Sequence, residues 1–313
     1  MKKTEKSIEV FAPATVANLG CGFDVMGLAV NEPGDIVSIQ LNDSGILKII
    51  EITGDEGKLT LDPKKNTVTV SMINMLKQLN KKVGADIILN KKMPLGSGLG
   101  SSAASSVAGV FALNELLGRP FKRNELVPFA MEGERIACGS AHADNVAPCM
   151  MGGIVLIRSY EPLEIISLPV PKNLYVVLIH PHVEVLTRDA RAVLPKQIPL
   201  KTGIGQWANT AALIAGLYES DYGLIGRAVQ DHVAEPARAK LLPHFHDLKS
   251  QVMKAGALAC SISGSGPSVF ALCDSEAQAK KISGGMKRFY TKHKIGAQAF
   301  YSKVNTTGVK VIS

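Results

Sequence analysis

Residues 94–106 read PLGSGLGSSAASS, with Gly96, Gly98 and Gly100 at alternate positions running into serines and alanines. Glycine has no Cβ, so the chain can take φ > 0 there and turn successive backbone N–H groups toward an anion. Helix formers and apolar Val107, Val110, Phe111, Leu113 and Leu117 follow, until Gly118 and Pro120 end the pattern. The spacing predicts a helix over 102–117, capped by Ser101 or Ser102. Pro94, Leu95, Gly96, Ser97, Gly98, Leu99, Gly100, Ser101 and Ser102 would then form a phosphate cradle at its positive end. A Gly-Ser run taken alone serves equally well as an ordinary turn and cap. The loop lacks the Gly-Lys-Ser/Thr ending of a P-loop and the last glycine of a dinucleotide fingerprint, so neither common nucleotide fold is indicated.

The chain has 313 residues, 46% hydrophobic and 20% charged, which suits one large or two ordinary domains with ample core. The N-terminal MKKTEKSIEVFAPAT carries Glu5 and Glu9 and no unbroken apolar run, so no secretory signal is expected. Apolar runs such as 149–157 are about half the ~20 residues of a membrane span, and a cytoplasmic location follows as the expectation. Cys21, Cys138, Cys149, Cys260 and Cys273 form no C-x-x-C pair and suit reduced thiols. The pairs His180/His182 and His244/His246 have no third ligand at metal spacing and read as structural or surface histidines. A formal charge of +8 invites a nucleic-acid partner, but the basic residues are scattered and aromatics are only 5%, so no nucleic acid and no membrane partner is expected. An anionic small substrate such as ATP accounts for the charge as well.

Strand-like runs at 7–11, 35–40, 46–52 and 84–89 precede helical segments at 102–117 and 124–137 and a strand near 154–157. After a charged, proline-bearing stretch at 161–173 a second set follows. It comprises strand 174–179, helices within 203–240 and 247–255, strands 257–262 and 268–272, helix 276–290 and strand 296–302. This is an α+β chain with a domain boundary near residue 167, give or take ten residues, giving domains 1–167 and 168–313.

Two more small-residue segments bracket the glycine loop: PATVANLGCGFD at 13–24 and SISGSGPS at 261–268. With these three segments in this order the chain resembles the GHMP kinases. Within that family it is most similar to the homoserine kinases, through FAPATVANLGCGFD, PLGSGLGSSAAS, GSAHADNVAPCMMGG, LTRDARAVLP, AEPARAKLLPHF and ISGSGPSVFAL. The resemblance implies an N-terminal domain like ribosomal protein S5 domain 2 and a ferredoxin-like C-terminal domain, with ATP and substrate between them. It also implies Mg²⁺-assisted phosphorylation of the side-chain hydroxyl of L-homoserine on the route to threonine, by a homodimer.

The resemblance assigns Ser102 and Glu134 to Mg²⁺; Glu134 lies on the border of an apolar stripe, from which it can look into a cleft, the alternative being an ordinary solvated residue. Thr187, Arg191 and Arg238 match positions that bind substrate, with the arginines offering guanidinium forks for a carboxylate. Asn18 and Asp24 match those for the ammonium and hydroxyl end; all five also read as ordinary polar loop residues. Arg188 reads as surface. Many family members place an aspartate eleven residues beyond the metal glutamate, where this chain has Asn145, which cannot act as a base. Asp144 and His142 are the nearby candidates, although an Asp-Asn pair more often caps a turn. The expectation is therefore catalysis by positioning and electrostatics, without a clear general base. Asn66 is a candidate for the adenine, Lys91 or Lys92 for phosphates or plain solvation, and Ser263, Gly264 and Ser265 for close backbone approach to the ligands or a simple hairpin turn. A mevalonate-type alcohol kinase and a ligand-binding protein without catalysis are the rival readings.

Overall fold

A computed structural model describes residues 7–139 and 142–313. Lys2, Lys3 and Glu5 of the signal-sequence argument, Ser140 and Ala141 of GSAHADN, and the side chain of Cys138 lie outside the described residues. In chain order the first half runs β1 (Ser7–Ala17), β2 (Met26–Asn42), β3 (Leu47–Thr53), α1 (Thr67–Gln78), β4 (Gly84–Asn90) and α2 (Ser101–Leu116). A 3-10 turn at Arg123–Leu126 leads into α3 (Val127–Cys138), followed by α4 (Ala143–Met151), β5 (Ile154–Tyr160) and β6 (Leu163–Leu168). The second half runs β7 (Tyr175–Pro181), α5 (Thr187–Ala192), α6 (Leu200–Glu219), α7 (Tyr222–Ala228), α8 (Ala234–Arg238), α9 (Phe245–Lys254), β8 (Ala259–Ile262), β9 (Val269–Cys273), α10 (Glu276–Lys292), β10 (Ala297–Lys303) and β11 (Lys310–Val311).

Among the described residues the strands make two sheets. In the first, β2 is long enough to pair with β1 and β4 along one part and with β5 at Met26–Leu28, while β3 runs parallel to β4 and β6 extends β5. Every residue of α2 from Ala103 to Asn114 is buried, as a helix with no polar face must be. Gly133 brings α3 against α2: a Cβ there would sit 2.0 Å from Ser106 Oγ and 2.9 Å from the Thr67 carbonyl. That close approach is what carries Glu134 to the N-terminal end of α2.

The second sheet is antiparallel in the order β10-β7-β9-β8, the βαββαβ arrangement with helices between β7 and β8 and between β9 and β10. Side chains alternate across a strand. Val177, Ile179, Val269 and Ala271 face a core with α9 and α10, whereas Val176, Leu178, Phe270 and Leu272 join the core of the first half. The two halves thus share apolar packing. Cys21, Cys149, Cys260 and Cys273 are buried free thiols. Among the described residues no helix is long and apolar enough to cross a membrane.

Several local expectations are corrected. α1 was not expected, because TVTVSMINMLKQ is rich in β-branched residues; Asn66 caps it by accepting from Val68 N, and Val68, Met72 and Met75 bury its apolar side. The 161–173 stretch contains β6, which pairs with β5. Residue 167 lies inside that strand, and β11 returns to pair with β1, so a cut at 167 does not part the sheets cleanly. Ser101 and Ser102 do not cap α2: the cap is Gly100, with φ 71°. The Asp-Asn pair is not a capped turn, because Asp144 and Asn145 are in the first turn of α4.

Candidate active site

The three small-residue segments of the sequence meet at one place. The carbonyls of the glycine loop are drawn outward: Ser97 O accepts from Ser268 N at 3.1 Å, Gly98 O from Ser263 Oγ at 2.7 Å and Leu99 O from Thr15 N at 3.0 Å. Gly98 has φ 74°, and a Cβ there would lie 2.5 Å from Ser263 O, so both the turn and the contact require glycine. The amides of 96–103 have no backbone acceptor among the described residues. A row of N–H groups at the start of a buried helix favours an anion such as phosphate by its electrostatics.

The loop borders a cleft of about 380 Å³. Leu95, Gly96, Ser97, Gly98, Gly100, Ser101 and Ser102 line it, as do Asn18, Asp24, Asn66, Glu134, His142, Asp144, Asn145, Thr187, Arg191, Arg238, Gly264 and Ser265. Pro94, Leu99 and Ser263 do not. Leu99 is core, Ser263 holds the loop from behind, and Pro94 faces the neighbouring hollow. Asn66 spends its amide as the α1 cap and as a donor to Thr60 O at 2.8 Å. Arg188 is exposed, as its reading as surface required.

Near the start of α2, Glu134 is buried; burial raises its pKa, while the nearby Ser102 side chain and the charge of Lys91 oppose that rise. The reading of Glu134 as a solvated surface residue is therefore corrected. Asp144 is also buried, and its Oδ1 has no hydrogen-bond partner among the described residues. Hydroxyl and carboxylate oxygens of this kind fit Mg²⁺, a hard cation that takes few protein ligands and keeps several waters. Among the described residues no cluster of three His, Cys, Asp or Glu ligands competes for that role.

At the other end, Arg191 and Asp24 hold each other. Arg191 Nη1 and Nη2 reach both Asp24 oxygens at 3.2 Å, and Nη2 lies 2.9 Å from His142 Nε2. Burial, with Arg191 assisting against Asp24, lowers the His142 pKa, so a neutral ring accepts from the guanidinium. Arg238 is buried; it donates to Ala190 O at 3.1 Å and Gly264 O at 2.8 Å, and its guanidinium lies 5.1 Å from the Phe23 ring centroid. Asn18 donates to the same Gly264 carbonyl at 3.1 Å and accepts from Asp24 N at 3.1 Å. Thr187 Oγ1 is 3.4 Å from Ser265 Oγ. Between the two ends, Asn145 Oδ1 accepts from Thr15 Oγ1 at 2.7 Å, which leaves its NH₂ as the group to meet a ligand.

Several residues that order this site escaped the sequence reading. Lys91, expected at phosphates or in solvent, is buried in an ion pair with Asp35 and also donates to Ser101 O and Ser105 Oγ, while Lys92 is exposed. Losing one partner of such a pair typically costs about 3–5 kcal/mol. Nothing local signals it, because the partners are 56 residues apart. Gln206 donates to Cys21 O and Asp231, and Tyr160 donates to Asp24 O at 2.9 Å. Asp231 accepts the amides of Val233, Ala234 and Glu235 and so orients the short α8 that carries Arg238. The run Asp231 to Pro236 did hold that clue, a helix-capping acid followed by Glu-Pro.

Burial, with repulsion from Asp24 and Glu134, pushes the Asp144 carboxyl up to about 7. Ionising it is thus harder in the folded chain than in the unfolded one, where about 3.9 is ordinary. Stability is fully present below about pH 4 and declines as pH rises toward 7. In metal-free buffer, the stability of Asp144→Asn relative to wild type should improve by a few kcal/mol between about pH 4 and pH 8. Denaturant unfolding across that range measures it, and a flat difference would mean that Asp144 is not burdened by its charge.

The GHMP kinases N-terminal domain family matches residues 66–153, and the GHMP kinases C-terminal family matches residues 213–292. A homoserine kinase of Chlorobium phaeobacteroides (strain BS1) is 50% identical, covering 98% of this chain and 100% of its own. A homoserine kinase of Arabidopsis thaliana is 40% identical, covering 98% of this chain and 85% of its own. The crystal structure of homoserine kinase from Cytophaga hutchinsonii ATCC 33406 superposes with a TM-score of 0.96 at 56% identity, covering 100% of this chain and 99% of that one. The chain belongs to the GHMP kinase family and has that family's two-domain fold of mixed helices and sheets.

Proposed function

We propose that this protein is a homoserine kinase, transferring the γ-phosphoryl group of ATP to the side-chain hydroxyl of L-homoserine. The observation that carries the reading is a single cleft with a row of free amides at one end and the Asp24–Arg191–Arg238 group at the other. The homoserine kinases that match along nearly the whole chain support it. The product, O-phospho-L-homoserine, lies on the route to threonine, and we place the reaction in the cytoplasm.

The amides of 96–103 hold the phosphates of ATP, and Ser102 and Glu134 are the residues that would hold Mg²⁺, which when bound neutralises the phosphate oxygens. Arg191 and Asp24 are already paired as a carboxylate and a cation would be. An amino-acid zwitterion exchanges with that pair: its carboxylate takes Arg191 and Arg238, and its ammonium takes Asp24 and Asn18. Desolvation is then largely settled before the substrate arrives, since two charges replace two charges. Thr187 bounds the amino-acid end beside Ser265. The substrate hydroxyl meets the NH₂ of Asn145, a donor and not a base, while His142 Nε2 is engaged by Arg191. Transfer therefore proceeds by in-line positioning and electrostatics, and the hydroxyl proton leaves late to a phosphate oxygen.

We also propose a homodimer. Leu200, Ile204, Trp207, Ala211, Ala215 and Tyr218 form an exposed stripe along α6, with Trp207 62% and Leu200 70% exposed.

ADP release with Mg-ATP against L-homoserine, L-serine, mevalonate, shikimate and galactose tests the reading, and selective turnover of L-homoserine is the expected result. Turnover only with another alcohol would keep the loop and void the arginine roles. Arg238→Leu should raise KM for homoserine by about tenfold or more, the worth of a lost charged hydrogen bond, with KM for ATP nearly unchanged; equal rises would remove Arg238 from the carboxylate site. Glu134→Ala should lose most turnover at ordinary Mg²⁺ and recover part of it at high Mg²⁺, and full activity at ordinary Mg²⁺ would reject the ligand role. In Asp144→Asn, kcat should stay within about tenfold of wild type, because a true general base is worth about 10²–10⁴. Sedimentation should give twice the 33.3 kDa chain mass, and a monomer would leave the α6 stripe without this role.

A further inference from the structure

We propose that Asp35 is the positioning residue of the phosphate loop, a single carboxylate that ties both feet of the loop together and thereby sets the direction of its amides. The inference rests on the loop's role as a phosphate cradle and not on which alcohol is phosphorylated.

The loop leaves the sheet after β4 and ends where α2 begins at Ser101. At the leaving foot, Asp35 Oδ1 accepts from Lys92 N at 2.8 Å and Met93 N at 3.1 Å. At the entering foot, Oδ2 accepts from the Ser101 hydroxyl at 3.2 Å. Lys91 Nζ bonds the same Oδ2 and crosses to Ser101 O at 2.8 Å and Ser105 Oγ at 2.9 Å. Asp35 is fully buried, Lys91 is 4% exposed and Ser105 2%. Asp35 itself cannot drift, because it sits on β2 between two paired strands, opposite Ala12 of β1 and beside the Ile36–Asn90 pair with β4.

The chemistry demands a carboxylate. Two amides, a hydroxyl and an ammonium converge on this side chain. An amide side chain has one accepting oxygen, and its NH₂ would face the Ser101 hydroxyl and the Lys91 ammonium. Lys91 is the other half of the device. An uncompensated buried anion beside the start of α2 would repel phosphate; paired with Lys91, Asp35 anchors the loop without cancelling its positive field.

Two readouts on ligand-free and nucleotide-titrated protein test this: hydrogen exchange of the 94–106 peptide, and Mg-ATP affinity by calorimetry. Asp35→Asn is expected to speed exchange in that peptide and weaken Mg-ATP by about tenfold or more, the worth of charge-assisted bonds. The double variant Asp35→Asn, Lys91→Met should regain loop protection, because Asn can accept the Lys92 and Met93 amides and donate to Ser101 once the ammonium is gone. Should Asp35→Asn fail to fold by circular dichroism, Ser101→Ala decides, since it cuts one foot without altering charge; it should loosen the loop peptide more than distant peptides. Unchanged loop exchange and Mg-ATP affinity in whichever variant folds would overturn the proposal. Failure of wild type to phosphorylate homoserine would not touch these readouts, so the two readings fall separately.

Discussion

A backbone N–H needs a partner, and the amides of residues 96–103, which have no backbone acceptor among the described residues, belong to a loop that borders the cleft. The surrounding structure can be understood as what holds that loop in place. Three loop carbonyls are turned away from the cleft and fastened to β1 and to the Ser263–Ser268 turn, which come from opposite ends of the chain. Behind the loop, α2 is buried along its length and cannot shift without opening the core. Below it, Asp35 and Lys91 join the loop's beginning to its end. Donors left without a backbone acceptor make the loop receptive, because a phosphate satisfies several of them together.

The charged groups of the cleft show a second regularity. Arg191 with Asp24 and Lys91 with Asp35 are balanced pairs, and Arg238 gives two of its five donors to the carbonyls of Ala190 and Gly264. Glu134 and Asp144 are buried carboxyls with raised pKa values. The cleft thus keeps one uncompensated positive charge, that of Arg238, at the Asp24–Arg191 end and carries acidic groups near the loop. That division is what a dipolar substrate and a cation-accompanied phosphate would each require, and it reads directly as a two-ended site.

Much of this was legible from residue types. Gly96, Gly98 and Gly100 announced a φ > 0 loop, and all have positive φ. The apolar run after them announced α2, and the three small-residue segments announced a shared site that the hydrogen bonds between them now form. Other parts were illegible for specific reasons. α1 has a strand-like composition, and its burial against α2 overrides that preference. α4 contains Asp144, Asn145 and Pro148, which locally favour a turn, yet its apolar residues Val146, Ala147 and Met150 are buried. Lys91 looked like surface because lysine is so rarely buried, and only a partner 56 residues away reverses that.

By itself the sequence determined the elements whose cause is local: the glycine turn, the long apolar helix, the alternating strands of both halves and the residue types able to hold a phosphate, a carboxylate or a hard cation. Only the tertiary structure decided which of those residues act together. Nothing in the sequence put Arg191 on Asp24, and nothing in it buried Glu134, which α3 carries toward Ser102 by packing at Gly133. The physical reason is that hydrogen bonds and ion pairs act over about 3–4 Å. Partners far apart along the chain, such as Asp35 and Lys91 or Asn18 and Gly264, leave no mark on either residue's neighbours and exist only once packing has closed the distance.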